Sequence, residues 1–434
     1  MSDEISKARE AAVYVLGRCR RFDAWSPQTL QKAGEKFALD RRDAALCSRL
    51  CLSVLQNAAL CDFYTGCYSH RGVQQIQPQV LDILRLGVCQ ILFMDKIPVS
   101  AAVDQAVSLT RRTAPKAAGM VNAVLRRVAE HRDSLPEIPD EGTAAELSIR
   151  YSHPLWLCEK LVSEKGYSFA AEYLKANNRE SDLTVSVNLC RTDAVSLLKR
   201  FREQGIEAGQ SKLSPHSLVL RYRGDVSELP GFNQGDFFVQ DAAAAMAVVC
   251  ARPEKGMRVL DACAAPGGKS FLCASLMRDD GEILSCDLHA KKLDRLESGA
   301  ARLGFSSIRT APMNAAEPYD RLKSRFDLVL ADAPCSGLGV IRKKPEIRYK
   351  APGELAGLPA VQGKILSGAA SCVRPGGTLV YSTCTILPEE NDGVVDAFLA
   401  EHPEFLREET RTIWPQEYDT DGFFYCRMRR NDED

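Results

Sequence analysis

Val259-Leu260-Asp261-Ala262-Cys263-Ala264-Ala265-Pro266-Gly267-Gly268-Lys269 reads as a buried strand, a glycine turn and the opening of a helix. Pro266-Gly267-Gly268 lets the backbone approach a ligand without a Cβ in the way. Downstream, strands are predicted over 258–263, 282–287, 307–311, 326–332 and 377–383, with helices over 269–278, 290–303 and 355–373. This alternation predicts a parallel, doubly wound, Rossmann-like α/β domain over 236–434, with 422–428 as a candidate last strand. Ligands of such sheets sit at the carboxyl ends of the strands.

Asp287 ends the second strand twenty residues after Gly267, the spacing at which an acid meets a ribose hydroxyl pair in nucleoside-binding folds. The turn lacks the full Gly-x-Gly-x-x-Gly pattern of a pyrophosphate loop. Gly267-Gly268-Lys269-Ser270 also lacks the earlier glycine of a P-loop. A nucleoside without phosphates, such as S-adenosylmethionine, suits it better.

Two thiols fall at predicted strand ends: Cys335 in Asp332-Ala333-Pro334-Cys335-Ser336-Gly337, and Cys384 in Tyr381-Ser382-Thr383-Cys384. A cysteine nucleophile beside a nucleoside-like cofactor is one reading; a small packing residue is the ordinary one. The chain has 16 cysteines and 6 histidines. Without Cys-x-x-Cys pairs or Cys/His groups at zinc-ligand spacing, no metal site is expected, and the thiols are read as reduced and the protein as cytoplasmic.

The composition, 45% hydrophobic and 26% charged over 434 residues, is that of an ordinary globular chain of two or three domains. A net charge of -1 means that any nucleic-acid contact must come from local basic patches. The start, Met1-Ser2-Asp3-Glu4-Ile5-Ser6-Lys7, lacks the apolar run of a signal peptide, and the apolar segment 80–93 is broken by Asp82, Arg85 and Gln90, so no membrane span is expected. Residues 1–135 show helical spacing throughout, as in Leu46, Leu50, Val54 and in Leu81, Leu84, Val88, Ile91. An acidic, proline-bearing stretch at 133–142 predicts an interdomain linker. Residues 145–235 mix helices at about 153–176 and 193–204 with β-rich runs at 183–189 and 217–222, a small α+β, RRM-like module, either a spacer or an RNA contact.

The Asp332–Gly337 and Ser382–Cys384 motifs, with Leu387-Pro388-Glu389-Glu390-Asn391, resemble the RNA cytosine-C5 methyltransferases of the RsmB/NOP class. The helical amino-terminal segment is similar to the NusB-like domain of the bacterial 16S rRNA branch. Ser152-His153-Pro154-Leu155-Trp156-Leu157, Val239-Gln240-Asp241, Gly339-Val340-Ile341-Arg342 and Asp421-Gly422-Phe423-Phe424-Tyr425 extend the likeness over nearly the whole chain. The resemblance implies an S-adenosylmethionine-dependent methyltransferase acting on 16S rRNA as a monomer. It implies that Cys384 adds to C6 of cytosine, that Cys335 serves product release and that Asp332 contacts N3. Cofactor contacts would come from Cys263, Ala264, Ala265, Pro266, Gly267, Gly268, Lys269, Asp287, Asp332 and Asn314, the last standing where the family has an acid. Other RNA cytosine-C5 methyltransferases, or an RNA-binding protein with a vestigial methyltransferase domain, are the alternatives. Arg342, Lys343, Lys344 and Arg348 follow Cys335 closely and are expected on RNA backbone. Arg111, Arg112, Lys116, Arg126, Arg127 and Arg132 form a second basic group, either a phosphate-binding or a merely solvated face.

Overall fold

The computed structural model describes residues 5–22, 27–317 and 320–432, so Met1 to Glu4 lie outside the described residues. The chain forms two compact units, one of residues 1–178 with 344–349 and one of residues 179–343 with 350–434.

The first unit is all helix: Lys7–Phe22, Pro27–Phe37, Arg41–Tyr68, Pro78–Phe93, Val99–Thr113, Ala118–Glu130, Ala144–Arg150, Leu155–Lys165 and Tyr167–Asn177. The three- and four-residue spacing of Leu50, Val54, Leu84, Val88 and Ile91 puts them on facing stripes, and all are buried in one core. Gly87 allows the closest approach in it, since a Cβ there would lie 2.6 Å from Leu125 Cδ1. Asp40 caps the Arg41–Tyr68 helix by accepting from the Asp43 N–H at 2.7 Å. That helix is long and apolar enough to cross a membrane by length and composition. Here Cys47, Leu50, Cys51, Val54 and Leu55 turn its apolar side into the core. The helices Leu155–Lys165 and Tyr167–Asn177, read from sequence as part of the middle module, pack within this unit, so compactness divides the chain after Asn178 rather than at 133–142.

The segment Lys344–Tyr349 belongs to the same unit. Arg348 within it is fully buried: its Nη1 donates to the carbonyls of Gln56 and Ser152, both at 2.8 Å, and its Nη2 to Asn178 Oδ1 at 3.1 Å. The Tyr349 hydroxyl donates to the Leu55 carbonyl at 2.7 Å. Burial pulls the Arg348 guanidinium down to about 10, against partial support from Tyr349, Tyr173 and Glu346. Ser152 also accepts from the Leu60 N–H at 3.0 Å, so the Ser152-His153-Pro154 corner is an anchor for this segment.

In the second unit, β1 (Leu183–Val187), β2 (Ala208–Gln210), β3 (Ser217–Leu220) and β4 (Phe237–Val239) form an antiparallel sheet in the order β2-β3-β1-β4. The helix Ala194–Glu203, capped by Asp193, lays Leu197 and Phe201 against Val185, Val187, Leu218 and Phe237. A second sheet follows: β5 (Arg258–Asp261), β6 (Glu282–Asp287), β7 (Ile308–Pro312), β8 (Phe326–Asp332), β9 (Val373–Thr383), β10 (Phe405–Ile413) and β11 (Phe423–Arg430). Its order is β10-β11-β9-β8-β5-β6-β7, with β9 through β7 parallel and β10 and β11 antiparallel. Hydrophobic cores cover both faces, which is why its central strands are almost wholly apolar. Strand order reverses between β5 and β8, and the crevice at their carboxyl ends is where such a fold binds ligands.

Arg348→Ala leaves two buried carbonyls and the Asn178 amide oxygen without donors. It is expected to destabilise the helical unit by about 3 kcal/mol, read as a lowered unfolding midpoint in denaturant.

Candidate active site

Every predicted site residue of the sheet falls at the edge formed by the carboxyl ends of β5, β6, β7, β8 and β9. After β5, Gly267 has φ +113, which an L side chain rarely adopts, and a Cβ there would meet Phe271 Cζ at 2.5 Å. Gly267 precedes the helix Gly268–Leu276, so the loop Cys263–Lys269 presents backbone N–H groups at a helix start. Asp261, ending β5, is fully buried and accepts from the Ser270 hydroxyl at 2.7 Å. Burial pushes its carboxyl up to about 6, with Ser270 and Lys269 opposing. Asp287, ending β6, accepts from the His289 N–H at 2.9 Å and lies 3.7 Å from Lys292 Nζ. After β7, Asn314 Nδ2 donates to Glu317 Oε1 at 2.7 Å and Oδ1 accepts from the Ala316 N–H at 3.2 Å. The amide is thus turned onto its own turn, with Glu317 supplying a carboxylate beside it. The glycine cradle, a helix start and an acid on the next strand fit S-adenosylmethionine, a cofactor without phosphates.

The deeper half of the site is built on β8 and β9, whose register sets Asp332 opposite Ser382. Asp332 Oδ1 accepts from the Ser382 hydroxyl at 2.8 Å and Oδ2 from Lys269 Nζ at 2.7 Å. Lys269, expected in the cofactor loop, therefore also reaches the centre of the site. Burial alone would lower its pKa, but the charge and hydrogen bond of Asp332 hold it above the ordinary lysine value. Its ammonium lies 5.2 Å from the centre of the Phe423 ring.

Beyond this pair, Cys335 Sγ and Cys384 Sγ are 3.3 Å apart. Their hydrogen bond lowers Cys384 below the ordinary thiol value against burial, with Lys269 acting in the same direction. Cys335 is pushed well above it by the same bond, by burial and by the charges of Glu390 and Asp332. The pair is thus biased toward a proton on Cys335 and acidity at Cys384. Cys61 and Cys89 lie at a similar 3.4 Å but are fully buried in the helical core, away from any ligand edge.

Of the four residues expected on RNA backbone, Arg342, Lys343 and Arg348 have partners within the chain. Arg342 is buried, pairs with Asp419 at 2.9 Å and donates to the carbonyls of Thr420 and Glu180. Lys343 Nζ bridges Asp241 at 2.5 Å and Asp421 at 2.8 Å. Arg348 is spent on the carbonyls of Gln56 and Ser152. Charged side chains in a loop read as solvated, and tertiary contacts that the sequence does not display consume these. Lys344 is exposed. Sequence reasoning missed Ser382, Ser270 and Asp421. Asp421 is buried beside Asp241, and burial with that neighbour pushes it up to about 7. The Asp421-Gly422 turn is stitched to Cys384 through Gly339, whose N–H donates to the Cys384 carbonyl at 3.0 Å and whose carbonyl accepts from the Gly422 N–H at 2.8 Å.

Family models match three segments: NusB family at 6–130, a ferredoxin-like domain of RsmF/B-like methyltransferases at 153–227, and 16S rRNA methyltransferase RsmB/F at 248–429. A probable ribosomal RNA small subunit methyltransferase B of Bacillus subtilis is 33% identical over 98% of this chain and 99% of the relative. The chain belongs to the ribosomal RNA small subunit methyltransferase B family. A Klebsiella pneumoniae member, named ribosomal RNA small subunit methyltransferase B, is 31% identical over 98% of both chains. The crystal structure of a protein designated PH0851 is 25% identical, with a TM-score of 0.78 over 99% of this chain and 100% of that one. The chain is accordingly an S-adenosylmethionine-dependent methyltransferase of small-subunit ribosomal RNA, with NusB-like, ferredoxin-like and methyltransferase parts.

Two measurements check this reading of the site. Asp287→Ala is expected to weaken S-adenosylmethionine binding at least about tenfold by titration calorimetry, a loss of about 1.4 kcal/mol. The rate of iodoacetamide alkylation at Cys384 should inflect below the ordinary thiol pKa, because a lowered pKa keeps thiolate present to lower pH. In Lys269→Met the inflection should move up; an unmoved profile would show that Lys269 does not act on Cys384.

Proposed function

We propose that the reaction is methylation of C5 of a cytosine in 16S rRNA through a covalent adduct of Cys384 with C6. The observation that carries this reading is the pair of sulfurs 3.3 Å apart at the ligand edge, with Cys384 drawn below and Cys335 above the ordinary thiol value. C5 of cytosine is a poor nucleophile. Addition of the Cys384 thiolate to C6 places electron density on C5, and loss of the C5 proton after transfer lets the thiolate leave and the ring double bond re-form. Bound S-adenosylmethionine supplies the methyl group. Asp332, fixed by Lys269 and Ser382, contacts cytosine N3 through a proton shared between its carboxyl group and the ring nitrogen. That proton neutralises the negative charge that addition places on the ring and returns to the carboxylate on elimination. Cys335 serves the breakdown: once its own proton has passed to solvent, its thiolate takes the C5 proton as the Cys384–C6 bond breaks. The target base must leave its stack to reach this edge. Backbone contact falls to Lys344 and to the exposed Arg111, Lys116, Arg126 and Arg127 of the helical unit, and the chain works as a cytoplasmic monomer.

Cys384→Ala is expected to abolish transfer to 16S rRNA and to form no adduct. Cys335→Ala is expected to methylate once and remain attached to RNA through denaturing electrophoresis. A band in Cys384→Ala and none in Cys335→Ala would reverse the roles, and two active proteins without adduct would end the covalent reading.

A further inference from the structure

We propose that Glu390 is the positioning residue that holds the two thiols in register, which rests on the covalent reading above. Glu390 follows Leu387-Pro388-Glu389 in a tight turn just before the helix Asp392–Glu401, and only 1% of it is exposed. Its Oε2 accepts from the Ser336 N–H at 2.8 Å and from Gln362 Nε2 at 2.8 Å, while Thr385 Oγ1 approaches Oε1 at 3.4 Å. Ser336 is the residue after Cys335, and Thr385 the residue after Cys384. The two hydroxyls meet each other at 2.6 Å.

The neighbouring contacts close the frame from both sides. Gln362, on the helix Leu358–Ser371, also donates to the Pro334 carbonyl at 3.0 Å, so Cys335 is held through the residue before it and the residue after it. Asn391 accepts from the Thr383 hydroxyl at 2.6 Å and donates to the Thr385 carbonyl at 3.2 Å, so Cys384 is held in the same way. The Tyr381 hydroxyl, donating to the Glu390 carbonyl at 2.7 Å, ties the turn to β9. A carboxylate is the side chain that accepts from several donors and offers none, and three donors converge here. Its negative charge also favours the protonated form of Cys335. Glu390 touches neither base nor methyl group in this scheme and acts through the two loops.

The test compares Glu390→Ala with Glu390→Gln. The glutamine retains one acceptor oxygen that Ser336 and Gln362 can share; the alanine leaves both donors unpaired. In the native protein, iodoacetamide should label Cys384 at least about tenfold faster than Cys335. In Glu390→Ala that ratio should fall toward unity, S-adenosylmethionine affinity should be kept, and turnover should drop with RNA adduct accumulating. Glu390→Gln should recover most of the ratio and the turnover. A folded Glu390→Ala protein with the native labelling ratio and native turnover overturns the proposal, as does a Glu390→Gln variant no better than the alanine. If Glu390→Ala does not fold, Gln362→Leu removes the donor to the Pro334 carbonyl and one of the donors to Glu390, and should change the ratio in the same direction; an unchanged ratio there is equally adverse. Failure of Cys335→Ala to trap RNA would instead remove the covalent reading, and the labelling ratio would still decide what Glu390 does.

Discussion

The pairing of β8 with β9 that sets Asp332 against Ser382 fixes almost everything else at the site. Both strands end at that rung, so the loops carrying Cys335 and Cys384 leave the sheet side by side. A slip of one residue would turn Asp332 to the other face and separate it from the Ser382 hydroxyl and from Lys269. The register is protected from both faces, by Val329, Ala331, Leu379 and Tyr381 in one core and Leu328, Leu330 and Val380 in the other. The chemistry therefore depends on apolar packing that takes no part in it.

Electrostatics then separates two thiols that covalent structure makes equal. The bond between the sulfurs acts in opposite directions on the two, drawing Cys384 down and pushing Cys335 up. Asp332 bears on both thiols, Lys269 favours the thiolate of Cys384, and Glu390 favours the protonated form of Cys335.

Most of the methyltransferase sheet was legible from sequence because its strands are buried on both faces and read as continuous apolar runs between turns. The edge strand β10 was missed. Arg407, Glu408, Glu409 and Arg411 give it a polar edge that does not read as a strand but suits one exposed to solvent. The three-residue strands β2 and β4 were too short to register a period. The two thiols stood out by their place at predicted strand ends, the glycine turn by its residue pattern and Asp287 by its spacing from that turn, while the roles of the thiols came from the family resemblance. Their supports were not legible: Glu390 and Arg348 are charged residues, which sequence patterns assign to the surface, and only tertiary contacts reveal them as buried.

The burial of Arg348 and Arg342 bears on how this protein meets RNA. A buried guanidinium committed to carbonyl oxygens is out of reach of phosphate, and exposing it would leave those carbonyls unpaired. The loop after Cys335 is instead secured at three points: by Arg342 to Asp419, by Lys343 to Asp241 and Asp421, and by Lys350 Nζ to the Ser336 carbonyl at 2.9 Å. Basic residues close to the reacting thiols thus serve geometry, where an error of an ångström would be costly. On the proposed reading, phosphate attraction, which tolerates imprecision, falls to exposed charges elsewhere. Arg111, Lys116, Arg126 and Arg127 are all exposed on one helical unit of a chain whose net charge is only -1. Counterion release is local, so a near-neutral protein can still bind a polyanion through such a cluster.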